Sequence, residues 1–246
     1  MLAKLRHARL LWPTLATVAA LSVLVGLGTW QLERKRWKED LLAKIATRVT
    51  AAPVPLTRVL AMMNSGADVE YVHVLAHGRY LHDKERYLYA PAPGGQAWHV
   101  YTPLQIENGS LIWVNRGLVP DADKDQSRRM RGQIAGETEV RGLIRVPMAK
   151  GLFTPENNAQ GNLWYWPDLA AMTASAFPAG TMALPFAIDA DAEPAPPGGL
   201  PKGGATRISL PNRHLEYAVT WYGLAATLIG VYLAFAIPRI RADSGD

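Results

Sequence analysis

The sequence contains no cysteine among its 246 residues. This absence excludes disulfide bonds, thiolate metal sites and thiol chemistry together. It also argues against a copper-delivery protein, because copper carriers use the soft ligands of Cys or clustered Met.

Sequence motifs of enzymes are missing as well. The chain has no GxSxG nucleophile elbow and no Ser or Thr nucleophile in a recognisable frame. Gly94 and Gly95 lie in a PAPGGQAW segment that no helix start and no Lys-Ser/Thr pair follows, so this segment does not match a phosphate-binding loop. We therefore predict that the protein is not an enzyme.

Charge is absent from two long runs, residues 10–32 and 217–238. The hydrocarbon core of a bilayer needs ~20 mostly apolar residues in a helix, so each run predicts a transmembrane helix. The first run would also suit a secretory signal, but it exceeds the ~7–15 apolar residues of a usual signal. It leads into GTWQLERKRW rather than a small-residue cleavage site, which favours an uncleaved span.

Basic residues flank both runs on their outer sides, with Lys4, Arg6 and Arg9 before the first and Arg239 and Arg241 after the second. Short basic flanks stay in the cytoplasm, so both termini are predicted to be cytoplasmic. In a bacterium, the protein would be a multi-pass protein of the inner (plasma) membrane. The predicted organisation is a cytoplasmic tail at 1–9, a transmembrane helix at 10–32, a periplasmic α+β domain at 33–209, an interfacial segment with the second transmembrane helix at 210–238, and a cytoplasmic tail at 239–246. The net charge of +5 requires no nucleic acid, because basic tails and interfacial belts facing membrane lipid account for much of it.

The middle of the chain changes from helical to β periodicity. Apolar residues recur every four or five positions after the first run, which predicts one continuous helix that ends before Pro53 and Pro55. A short helix at 57–63 follows. From Val69 the period is two, and Gly78 marks a bend or bulge. Further strands are predicted at 85–90, 98–106, 111–116, 137–146 and 184–190.

Turn and loop composition completes the predicted fold. Asn108-Gly109 predicts a hairpin between two of the strands, and a short helix is predicted from Pro167 to Phe177-Pro178. Residues 121–131 and 150–162 are predicted to be exposed, and residues 193–204, EPAPPGGLPKGG, to form a flexible linker. The predicted fold class is a membrane protein with two terminal transmembrane helices and an α+β, mainly antiparallel β, extramembrane domain.

Three histidines crowd into ten residues of this domain, at His73, His77 and His82. Residues four apart in a strand are separated by ~13 Å, which is too far for one metal ion with bonds of ~2.0–2.1 Å. We interpret these histidines as packed or solvated side chains.

His214 is a different case, because it lies where the second apolar helix begins. If Asn212 caps that helix, six residues share one face with spacings of three and four: His214, Tyr217, Ala218, Trp221, Ala225 and Leu228. Neutral imidazole is a competent axial ligand for haem iron, and Arg213, Arg34 or Arg36 could meet haem propionates. Alternatively, His214 caps the helix or bonds a headgroup or a backbone carbonyl, and the residues alone favour this second interpretation.

Four segments in order carry a resemblance to a known family: GTWQLERKRWKEDLL at 28–42, HGRYL at 77–81, YTPLQIENGSLIWVNRGLVP at 101–120 and NRHLEYAVTWYGLA at 212–225. The chain resembles the Surfeit locus protein 1 family, membrane proteins that assist the assembly of cytochrome c oxidase. It departs from the family pattern at Leu118, where a tryptophan is usual, and at Tyr222, where phenylalanine is usual.

The resemblance implies an assembly factor that binds haem a, with His214 as the iron ligand, and assists insertion of haem a into the oxidase core subunit. Other expected haem contacts are Trp221, Tyr222 and Tyr217 on the second helix, Arg213 before it, and Trp30 and Arg34 at the end of the first run. Expected partners are the core subunit and the haem a synthesis machinery. The alternatives are a cofactor-free scaffold that holds oxidase assembly intermediates, and an enzyme that modifies haem or lipid, for which the chain offers no polar constellation.

Overall fold

A computed structural model describes residues 10–92, 95–204 and 212–242. The chain forms two compact units, Met1–Lys44 with Ile208–Asp246, and Ile45–Arg207. In chain order the elements are α1 (Leu11–Thr50), β1 (Val54–Pro55), α2 (Leu56–Asn64), β2 (His73–Tyr80), β3 (Arg86–Ala92), β4 (Gly95–Gln105), β5 (Leu111–Pro120), β6 (Glu137–Arg145), β7 (Leu163–Trp164), α3 (Leu169–Ala176), β8 (Ala183–Ala190) and α4 (His214–Ala242). Short 3₁₀ turns lie at His82–Lys84, Asp121–Asp123 and Gln126–Gly132.

The two terminal helices each contain an apolar stretch long enough to cross a membrane, and few residues of either stretch are buried. Helix α1 continues from its apolar half through the charged segment to Thr50, which confirms the prediction of one uninterrupted helix. Helix α4 begins at His214, so Asn212 is not its N-cap, and it continues beyond Pro238 to Ala242.

Five strands of the middle unit close into a barrel. Strand β2 pairs with β6, then β8, β5 and β4 follow, and β4 returns to β2 through Arg79 and Tyr80. Among the described residues, five of the eight strand pairings are antiparallel, and the pairs β1–β2, β5–β8 and β3–β7 are parallel. The prediction of a mainly antiparallel domain is therefore confirmed. The sequence pattern did not predict that the sheet closes into a barrel.

The barrel interior is filled by the inward residues of each strand, because alternate side chains point to opposite faces. On β2 these are Val74, Ala76 and Tyr80, and Leu56 and Val59 of α2 cover the same core. Strand β5 is buried on both faces: Ile112 and Val114 belong to the interior core, while Trp113 packs in a second cluster with Trp164, Leu169 and Met172. A strand that is covered on both sides has a continuous run of apolar residues, which here is LIWV.

Most predicted strands and both short helices are present within a few residues of their predicted bounds. The first strand starts at His73 rather than Val69, because Tyr71 has a left-handed φ of 61° and interrupts the extended chain. The hairpin turn is confirmed, with Gly109 at φ 78° and the Asn108 side chain accepting from Ser110 N–H. Helix α3 is capped by Asp168, whose side chain accepts from Ala171 N–H.

The predicted bend or bulge at Gly78 is not a β-bulge. The register of β2 with β6 runs through Gly78 without a shift. A side chain here would overlap the Gln105 carbonyl, so glycine allows β2 and β4 to approach where the barrel closes.

The linker prediction for residues 193–204 is wrong. The backbone of Lys202 exchanges two hydrogen bonds of 2.9 Å with Leu118, and Leu200 packs in a cluster with Trp98 and Val119. Gly204 N–H bonds the Ala190 carbonyl at 2.8 Å. Proline and glycine content indicates an irregular backbone here, but the segment is docked on the barrel.

The segment 121–131, predicted to be exposed, is anchored by a buried arginine. Arg129 donates to Glu85 Oε2 at 2.6 Å, and Arg116 lies 3.4 Å from Glu85 Oε1. The three side chains are at most 4% exposed. We call Glu85, Arg116 and Arg129 the Glu85 cluster; it holds the 3₁₀ segment against the barrel.

Candidate functional site

The two helices of the first unit pack antiparallel along a seam of buried and half-buried positions. The seam positions of α4 are His214, Ala218, Trp221, Ala225, Leu228 and Tyr232, and those of α1 are Thr14, Thr17, Leu21, Leu24, Gly28 and Gln31. Alternating steps of three and four residues are the spacing of a two-helix coiled coil.

Polar contacts and one close approach fix the pairing of these helices. The Tyr232 hydroxyl lies 2.5 Å from Thr14 Oγ1, and the Tyr222 hydroxyl lies 3.0 Å from Thr29 Oγ1. The Tyr222 ring covers Gly28, where a Cβ would lie 2.9 to 3.1 Å from ring carbons. Small residues that permit such approach are typical of helix pairs in membranes.

His214 closes the seam at the end where α4 begins. Its Nδ1 lies 2.7 Å from Oε1 of Gln31 on α1. A carboxamide oxygen can only accept, so in a neutral imidazole this contact places the hydrogen on Nδ1 and leaves the lone pair on Nε2. Within the described part of the chain, no group forms a hydrogen bond with Nε2. In these contacts His214 therefore bonds a glutamine side chain, and it neither caps the helix nor bonds a backbone carbonyl.

The predicted haem contacts lie near this histidine along both helices. Tyr217 and Trp221 follow His214 on α4 at three and seven residues; Tyr217 is 52% exposed and Trp221 half-buried. Trp30 and Arg34 lie within one helical turn of Gln31, and both are exposed. Tyr222 is 36% exposed, and one part of its ring covers Gly28.

Cations stand close to the same end of the seam. Arg213 precedes His214 and pairs with Glu216 at 2.7 Å, with both side chains more than 60% exposed. The Arg34 guanidinium lies 4.6 Å from the centre of the Trp37 ring. An imidazole with an open Nε2, aromatic rings and exposed guanidiniums together form a donor set of the chemical type that could hold a haem.

Two histidines of the barrel unit, His73 and His82, lie within hydrogen-bond distance of other groups of that unit. His73 places Nδ1 at 2.9 Å from the Ala51 carbonyl and Nε2 at 2.7 Å from Asp191. His82 Nε2 lies 2.9 Å from the Ile134 carbonyl. No group of three His, Asp or Glu side chains in residues 10–92, 95–204 and 212–242 is arranged to hold a metal ion.

Gln31 is the site residue that sequence reasoning missed. It is the last polar residue before the charged segment, and as a single side chain it gives no chemical signal. The heptad-like positions Leu24, Gly28 and Gln31 would have pointed to it, because they continue the α1 seam.

Comparison with known families gives a match over most of the chain. The model of the SURF1 family matches residues 18–226, which include Gln31 and His214. The chain belongs to the SURF1 family. The expected family resemblance is thereby confirmed.

Relatives from several eukaryotes match this chain over most of their own length. The Surfeit locus protein 1 of Takifugu rubripes is 37% identical over 233 residues, which cover 88% of this chain and 93% of that protein. The Surfeit locus protein 1 of Homo sapiens is 38% identical over 218 residues, covering 82% and 70%. A SURF1-like protein of Monosiga brevicollis is 36% identical over 226 residues, covering 86% and 82%. The family match at residues 18–226 therefore covers the barrel unit, most of α1 and the first part of α4.

Proposed function

We propose that this SURF1-family protein is a non-enzymatic assembly factor for cytochrome c oxidase that binds haem a at His214 and assists its insertion into the core subunit. The observation that carries the haem part is the His214 imidazole, whose Nδ1 is engaged by Gln31 while Nε2 stays open. Family membership supports the oxidase part, since the resemblance of the quoted segments implies that role.

The chain's own residues would bind and orient the cofactor, whose iron accepts a nitrogen ligand. His214 Nε2 would offer the lone pair for that bond. Tyr217 and Trp221 offer ring surface on the same helix, and Arg213 and Arg34 offer guanidiniums for carboxylates. Residue 214 lies at the start of an apolar helix, so the cofactor would be held where water meets lipid.

Haem content is the direct test of this proposal. The detergent-purified protein, co-expressed with a haem a synthesis pathway, is expected to show a haem a absorption spectrum. His214→Ala should remove most of the bound haem, because the ligand is lost. His77→Ala is the matched control, since His77 is an exposed histidine of the barrel. Equal haem content in wild type and His214→Ala would refute the ligand assignment.

The membrane setting is part of the same proposal: a bacterial inner membrane, both termini cytoplasmic and the barrel unit periplasmic. The absence of cysteine allows a clean test, because one introduced thiol is the sole target for a maleimide. A membrane-impermeant maleimide should label Asp83→Cys, whose position is 71% exposed, in cells with a permeable outer membrane. It should label Ser244→Cys only after the inner membrane is opened, and the reverse pattern would overturn the orientation.

A cofactor-free scaffold is a second candidate, favoured by apolar residues on the barrel unit that face solvent. Leu152 is 90% exposed and Phe153 94% exposed. Adjacent exposed apolar side chains of this size are typical of a protein contact. In a strain that makes no haem a, the scaffold proposal predicts that affinity-purified protein retains the oxidase core subunit and that Leu152→Ser with Phe153→Ser loses it. Loss of the core subunit from wild type in that strain would speak against a scaffold.

A further inference from the structure

We propose that Gln31 is the positioning residue of this site, because its side-chain oxygen fixes the His214 imidazole in the tautomer that leaves Nε2 free to bind a metal. The tautomer assignment rests on the contact between Gln31 and His214 alone. Its use in ligation rests on the proposed function.

The geometry singles out one nitrogen of the ring. Gln31 Oε1 lies 2.7 Å from Nδ1, within the range of a well-formed hydrogen bond. A neutral imidazole has one donor and one acceptor, so a hydrogen on Nδ1 leaves the lone pair on Nε2. Histidines that ligate metals usually donate their second ring N–H in this way, which sets both tautomer and ring orientation.

The chemistry of the acceptor matters as well. A glutamine oxygen is neutral, so it orders the ring without adding a negative charge beside it. The contact is partly buried between two helices, and a low local dielectric strengthens a hydrogen bond that is made there. Gln31 therefore orients the ring without placing a charge beside it.

A purely structural role for Gln31 is the competing explanation, because the same hydrogen bond joins α1 to α4. The chain supplies a matched control for that role. Thr29 makes a second side-chain contact between the two helices, with the Tyr222 hydroxyl at 3.0 Å. A change at Thr29 disturbs the helix pair without touching the imidazole.

The tautomer is read by ¹⁵N NMR of histidine-labelled, haem-free protein in detergent, with His214→Ala used to assign the His214 signals. Wild type and Thr29→Val should both show a protonated Nδ1 and an unprotonated Nε2. Gln31→Leu should move the hydrogen to Nε2 in a major fraction of molecules. Gln31→Glu should keep the hydrogen on Nδ1, because a carboxylate oxygen also accepts, and it covers the case in which Gln31→Leu misfolds.

Two results would overturn the inference: a wild-type His214 with its hydrogen on Nε2, or a Gln31→Leu protein with unchanged tautomer. Ligation is tested separately by titrating the haem-free proteins with haemin and following the absorption spectrum. Gln31→Leu should bind about 10- to 100-fold more weakly than wild type, the range seen when a partner of a ligating histidine is lost. If wild type binds no haemin although its tautomer is as stated, the proposed function fails while the role of Gln31 in orienting the ring stands.

Discussion

Replacing Glu85 by glutamine is the sharpest test of how the barrel holds its charged segment. Glu85 is fully buried and accepts from Arg129 at 2.6 Å, from Gln126 at 3.1 Å and from Thr102 at 3.3 Å. The substitution keeps the shape of the side chain and removes its charge. It leaves Arg116 and Arg129 buried without their counter-ion.

The cost can be worked in two ways. Breaking a buried ion pair by removing one partner costs about 3–5 kcal/mol, since a charge is left uncompensated. Burial alone raises the pKa of Glu85, but the neighbouring His82 and Arg129 side chains and the positive charge of Arg116 outweigh it and lower the pKa from 4.5 to about 2. At ~1.4 kcal/mol for each pKa unit, the lowered pKa corresponds to about 3 kcal/mol of stability.

The sign of the pH dependence follows from the lowered pKa. The carboxylate's contribution is complete above pH 4.5, the pKa in the unfolded chain, and is lost as the pH falls toward about 2. Wild type should therefore lose stability between these values. The difference between wild type and Glu85→Gln should shrink over the same window.

The measurement is denaturant unfolding of the detergent-solubilised protein, followed by near-ultraviolet circular dichroism at pH 7 and at steps down to pH 3. Glu139→Gln is the matched control, because Glu139 pairs with Arg141 at 2.7 Å with side chains 40% and 51% exposed. Exposed pairs contribute roughly 0–1 kcal/mol. Equal losses for the two variants, or a Glu85→Gln loss that does not change with pH, would refute the reasoning.

Two further predictions concern close backbone approaches. Gly28→Val should force the Tyr222 ring away from α1 and lengthen the distance between spin labels at Thr14→Cys and Tyr232→Cys, measured by electron paramagnetic resonance. Gly26→Val is the control and should leave this distance unchanged, because a Cβ at residue 26 meets nothing within 4 Å. Equal distances in the two variants would contradict the contact between Tyr222 and Gly28. Gly78→Ala should destabilise the barrel by about 1–3 kcal/mol through overlap with the Gln105 carbonyl, as measured by denaturant unfolding. His77→Ala, at the neighbouring exposed position, is the control and should have nearly the free energy of unfolding of wild type. A Gly78→Ala protein as stable as wild type would contradict closure of the barrel at this point.

Local patterns predicted the local elements. The period of two in β2, the Asn108-Gly109 turn and the prolines after α1 depend on neighbours in sequence, and the structure confirms each of them. The chemical identity of His214 and its place at the start of an apolar helix were also visible in the sequence.

Features that depend on distant partners were not predictable in the same way. Glu85 and Arg129 are 44 residues apart. Arg129 lies in a charged segment, and such a segment is predicted to be solvent-exposed unless the buried partner is known. The packing of Leu200 and Lys202 on the barrel was not predicted, because a proline- and glycine-rich composition indicates a flexible segment and carries no information on distant contacts. Gln31 was missed because its role requires a side chain 183 positions away.

Closure of the barrel has a consequence for how other chains can be recognised. Among the described strands, those at the ends of the sheet order, β1 and β7, are two residues long. The outer edge of β3 beyond its pairing with β7 includes Pro91, which has no N–H to donate. An extended peptide therefore finds almost no continuous backbone to pair with. A client protein would be selected by side chains on loops and turns, and a stray unfolded segment would find little template for unwanted strand addition.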